Sequence, residues 1–164
     1  MQEFKANSHI AMSDSHVDRW MQRGRVFLWS YAGNPRNFCG WHITADDAGC
    51  ESLLLLIDLM IQAEFKAKQI IDLTPPTASD LRVVGCTARA MAAKSLNLSH
   101  SKQRMAMDHW SLRAADRTVD LEAGKEHLEK LRKGIEDIRR GEGDYLIGID
   151  GEELWFWWRP DCGS

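Results

Sequence analysis

Residues 109–141 read HWSLRAADRTVDLEAGKEHLEKLRKGIEDIRRG. Apolar and polar residues alternate on both sides of Asp116-Arg117, with Trp110 and Leu112 before it and Val119 and Leu121 after it. Period-two alternation marks strands covered on one face, and a two-residue polar loop between two such runs closes a β-hairpin. The period then changes. Leu121, Leu128, Leu131, Ile135 and Ile138 recur at helical spacing, which predicts a helix over about 122–141 that Gly141 and Gly143 stop. Strand, strand and helix in so short a stretch predict an α+β fold with a helix laid on an antiparallel sheet.

Downstream, residues 144–149 and 152–158 read as the last strands. Asp150-Gly151 between them is a strong signal for a two-residue hairpin loop. Upstream, RVFLWSY (25–31) and FCGWHIT (38–44) read as a hairpin whose long polar tip is AGNPRN. Thr44 and Asp47 approximate a capping box that opens a helix over 45–65. Leu53, Leu54, Leu56, Ile57, Met60 and Ile61 cover most of its circumference, so it is buried on more than one side or lies against a second subunit. Lys68–Leu73 reads as a strand, and Pro75-Pro76 ends it. The Ser- and Asn-rich composition of 77–105 reads as a linker holding one short helix near Ala88–Lys94.

The expected fold is therefore α+β, an antiparallel sheet of about six to seven strands with two main helices. Residues 1–20 read as an N-terminal tail in which Met12 offers an alternative start, and 21–164 as a single domain. The order hairpin, helix, strand occurs twice, in 25–73 and in 109–158, joined by a linker at 74–108. A shift of 75 residues lays Gly49 to Leu53 on Gly124 to Leu128, the pattern a duplicated hairpin-helix-strand unit would leave.

With 44% apolar and 27% charged residues the chain has ordinary globular composition. The net charge of −3 does not indicate a nucleic-acid binder, so nucleic acid is not the expected partner. Residues 80–118 nevertheless hold seven Lys and Arg against three acids, and 120–161 hold seven against twelve. Such an asymmetry suits either solvated faces or a basic patch that meets an acidic partner. No run approaches the roughly 20 apolar residues that span a bilayer, and the first residues lack a secretory pattern. A cytoplasmic location with no membrane partner is expected, and the four cysteines are expected to be reduced.

The densest chemistry lies in 34–42. Arg36, Asn37, Cys39, Trp41 and His42 place a thiol, an imidazole, a guanidinium and an amide within a few residues. Cys39 and His42 sit three apart, which in a strand points them to opposite faces unless Gly40 permits a bend. A zinc site would need a second close ligand pair, so Cys39, His42 and Cys50 are read as a thiol, an imidazole and a thiol rather than as metal ligands. The sequence holds no GxGxxG, P-loop, GxSxG or HExxH motif, and no cofactor is expected. The seven tryptophans are the compositional oddity. The last strand carries Trp155 and Trp157 on one side with Phe156 and Trp158 on the other, so its second face needs a cover, a partner or a ligand. The N-terminal segment with Trp20 and Met21 is the expected cover.

Two functional expectations follow. The first is a non-enzymatic protein-interaction domain of accessory or immunity type, which presents an aromatic-rich surface to a protein partner or to a second copy. The likeness to such proteins is one of size and charge class alone. The alternative is a small enzyme or ligand-binding domain with a Cys39/His42/Arg36 site in a cleft between the two halves.

Overall fold

The computed structural model of the chain describes residues 15–33, 36–142 and 145–159. Asn34 and Pro35 of the expected hairpin tip, Gly143, Asp144, Cys162 and the tail up to residue 14 lie outside them. The elements in chain order are α1 (Ser15–Asp18), β1 (Val26–Tyr31), β2 (Trp41–Ala45), α2 (Asp47–Gln62), β3 (Ala67–Asp72), α3 (Ala78–Val84), β4 (Ala90–Ala92), β5 (Ser95–His100), β6 (Trp110–Ala115), β7 (Thr118–Ala123), α4 (Lys125–Arg140), β8 (Tyr145–Ile147) and β9 (Leu154–Phe156).

The fold is α+β, but the strands form two sheets and not one antiparallel sheet of six to seven strands. One sheet has five strands in the order β4-β1-β2-β9-β8 and the other four in the order β3-β5-β7-β6. Neither is purely antiparallel, because β9 joins β2 and β5 joins β7 in parallel. The reason lies in the segment read as a linker. Residues 74–108 contain α3, β4 and β5, and β5 is an interior strand. The continuous stretch β4–β5 pairs first with β1 and then with β3 and β7, so it crosses from one sheet to the other near Ala93-Lys94.

Read from β1, the larger sheet runs β1-β2-β9-β8; read from β6, the smaller runs β6-β7-β5-β3. Both follow antiparallel, parallel, antiparallel pairing. Each half of the chain places its first hairpin in one sheet and two strands after its long helix in the other, β3 and β5 after α2 and β8 and β9 after α4, while β4 stays with β1. The halves are thus interleaved. The helix N-caps Asp46 and Gly124 stand 78 residues apart, three more than the shift read from sequence. Three residues are almost one helical turn, so the apolar stripe matches at either offset. The true cap of α2 is Asp46, whose Oδ1 accepts from Gly49 N at 2.8 Å, while Thr44 is buried in β2.

One large core takes the inner positions of both sheets and both long helices. Val26 and Leu28 of β1, Leu96 and Leu98 of β5, and Val119 and Leu121 of β7 meet Leu56 and Met60 of α2 and Leu131 and Ile135 of α4. A Cβ at Gly134 would lie 2.5 Å from the Phe156 ring, so only glycine lets α4 approach β9 this closely. Val17 and Trp20 belong to this core although they fall in the stretch read as a tail, and Trp20 Nε1 donates to Ser52 O on α2 at 2.9 Å. Nearby, the Gln22 amide donates to Asp72 O and accepts from Asp72 N, both at 2.8 Å. A side-chain amide thus pairs with the free edge of β3 as another strand would.

Candidate functional site

β1 is apolar at nearly every position because both faces of its sheet are covered. Val26 and Leu28 face the large core. Phe27, Trp29 and Tyr31 face outward into a second cluster with Trp155 and Trp157. The cover over this second face is α3, with Leu81, Val83 and Val84, together with Phe38 from the β1–β2 loop. Trp20, the expected cover, is instead committed to the other core. Thr77 caps α3 by a capping box with Asp80. Asp80 is buried, and its Oδ1 lies 3.4 Å from Nη1 of Arg159, whose guanidinium stands 4.4 Å from the Phe27 ring centroid. The segment after β9 therefore ties α3 down over the aromatic face.

His42 lies at the centre of that face, fully buried. Its ring stacks on Trp29, Trp155 and Trp157 with centroids 5.7, 6.4 and 6.0 Å apart, and meets the Tyr31 ring in a T-shaped pair with centroids 5.0 Å apart. Trp157 Nε1 donates to His42 Nδ1 at 2.9 Å. Nδ1 is thus the acceptor, so the ring proton sits on Nε2 and is donated to Phe38 O at 3.2 Å. Burial lowers the pKa to about 4, against a smaller opposing effect of the Phe38 carbonyl. The imidazole is neutral with both nitrogens engaged, and no lone pair or proton remains to activate a thiol.

The residues singled out from sequence are therefore distributed over several places. His42, Trp155 and Trp157 meet in the buried box, with Trp157 7% exposed. Cys39 is half-buried at its margin, where its carbonyl accepts from Trp155 Nε1 at 2.8 Å. Gly40 provides the bend at φ +92, where a Cβ would lie 2.5 Å from Glu153 O. Trp41 faces the opposite side of the sheet and packs against the large core. Arg36 and Asn37 are exposed in the loop. Among the described residues no group of three or more His, Cys, Asp or Glu side chains is arranged to hold a metal ion.

The outer face of the four-stranded sheet differs in kind. Its outward positions include Lys68 on β3, Asn97 and Ser99 on β5, Asp120 and Glu122 on β7, and Ser111 and Arg113 on β6, with Ile70 and Asp72 of β3 exposed on the same side. Apart from Ile70 and Asp72 they line, together with Lys66 and His109, an open hollow of about 400 Å³. The two acids are already engaged: Asn97 Nδ2 donates to Asp120 Oδ1 at 2.6 Å, and Glu122 Oε2 lies 3.3 Å from His109 Nε2. Lys66, Lys68 and Arg113 form no salt bridge among the described residues. The lining thus holds three cations that form no salt bridge with its two carboxylates. Reading 77–105 as linker misses this surface; the signal for β5 is the alternation of Leu96, Leu98 and His100 with Ser95, Asn97 and Ser99.

No helix among the described residues is long and apolar enough to cross a membrane. No protein-family model, no curated protein and no solved structure matches this chain.

Proposed function

We propose that the chain is a protein-interaction domain that binds an acidic partner protein through the outer face of its four-stranded sheet. One observation carries this reading. The two sheets share strand order and pairing, so we read the halves as copies of one unit, yet their outer faces are finished differently. The five-stranded sheet has its outer face closed by α3 and the C-terminal segment. The four-stranded sheet bears no such layer among the described residues, and apart from exposed Ile70 on β3 the positions around its hollow are polar, with Lys66, Lys68 and Arg113 in no salt bridge there. This moves the expected interaction surface from the aromatic face, which supplies internal packing, to a charged one. A partner with carboxylates opposite these three cations gains electrostatic steering and fixed register.

A photo-crosslinking residue at Ser99 tests the proposal in extracts of the cells that make the protein. A single adduct of discrete mass is expected. Lys68→Glu combined with Arg113→Glu should lower its yield about tenfold, while Arg139→Glu on α4 leaves it unchanged. An adduct indifferent to the sheet reversals, or one lost equally with Arg139→Glu, would refute the assignment.

A further inference from the structure

We propose that a second site, the cleft bounded by the end of β1, the start of β2, β4 and the β6–β7 turn, binds small aromatic carboxylates. The cleft measures about 770 Å³, within the roughly 300–1,000 Å³ of ligand pockets. Its walls are apolar where a flat body would lie: the Trp41 indole, four alanines and Met91, which is 51% exposed. An exposed apolar wall beside an indole is unusual on a charged surface and suits a flat ring. Two guanidiniums, Arg89 and Arg117, also line it. Arg117 is oriented by the protein, since its Nε donates to Ala92 O at 3.3 Å. That bond leaves both terminal nitrogens of Arg117 for a carboxylate, which a guanidinium recognises in bidentate fashion. Backbone hydrogen bonds hold the wall on either side: Ala32 N donates to Arg89 O at 2.9 Å and Lys94 N to Arg117 O at 2.7 Å. Asp116 is the sole carboxylate among the described lining residues, so the two arginines leave a positive balance. Ser30 adds a neutral hydroxyl. An apolar body and one anionic group are the chemistry that this lining complements.

The test is a titration with naphthoate, followed by the indole N–H resonance of Trp41 and the side-chain resonances of the arginines. Saturable shifts confined to the cleft are expected. Neutral naphthamide should bind about tenfold more weakly, as should naphthoate with Arg117→Met, which keeps side-chain length and removes the charge. Arg89→Met serves the same purpose should Arg117→Met perturb the turn. Equal binding of naphthoate and naphthamide, absence of shifts up to millimolar probe, or shifts centred on the apolar hollow around Met21, Leu55 and Leu59 would each overturn the proposal.

Discussion

Asp80→Ala is expected to destabilise the folded chain by about 3–5 kcal/mol, the range for breaking a buried ion pair from one side. Two functions of the carboxylate disappear together. Oδ2 accepts from Thr77 N at 2.7 Å and from its hydroxyl at 2.9 Å, which starts α3. Oδ1 faces Arg159 at 3.4 Å, with side-chain exposures of 0% and 6% for the acid and the base. The variant leaves the buried Arg159 guanidinium, over Phe27, without that carboxylate. Asp80→Asn keeps an oxygen for the cap and loses the charge, so it should fall between wild type and Asp80→Ala. Urea unfolding gives the difference from midpoint and slope. Because α3 covers Trp29 and Trp157, its release should also shift their fluorescence to the red before the helices α2 and α4 unfold. A loss under about 1 kcal/mol would show that this contact does not hold the cover in place.

Acidification is expected to remove about 3 kcal/mol through His42 alone. The folded pKa is held to about 4 against an ordinary value of 6.5. Between those values the unfolded chain binds a proton that the folded chain does not. Stability is therefore complete above pH 6.5 and falls as the pH drops toward about 4, below which His42 adds no further slope. His127, also lowered by burial, contributes in the same direction. Asp46, where burial pushes upward but the hydrogen bonds from Arg25 and Gly49 together outweigh it and lower the pKa, loses its contribution only at more acid pH. The difference between wild type and His42→Gln across pH 6.5 to 4 isolates the ring, since glutamine offers both a donor and an acceptor. Parallel pH dependence in the two proteins would contradict the buried neutral imidazole.

How much of this could be read from residues alone follows from the range of each interaction. The hairpins β1–β2 and β6–β7, the helices α2 and α4 and the Asp150-Gly151 turn rest on local periodicity and turn chemistry, and all were legible. Asp116 and Asp150 both adopt φ +56, as their loop positions require. The division into two sheets rests on β2 meeting β9 and β5 meeting β7, pairings set by the tertiary fold and by no local pattern. β5 looked like a loop because half its residues are the serines and asparagine of the exposed face. α3 announced itself only by Thr77 and Asp80, three residues apart, between prolines and a glycine. The cluster at Cys39 and His42 stood out in sequence, but what decides its chemistry is Trp157, 115 residues beyond His42. Local spacing gave no sign that this tryptophan would occupy Nδ1.

Lysine labelling tests the central claim, that the working surface is the open face of the four-stranded sheet. The purified protein and the protein in extract of its native cells are labelled with an amine reagent and compared residue by residue. Lys66 and Lys68 line the hollow, whereas Lys125 and Lys130 are exposed on α4. The extract should protect Lys66 and Lys68 and leave Lys125 and Lys130 as reactive as before. Equal labelling of all four, or protection confined to α4, would contradict the assignment of this face.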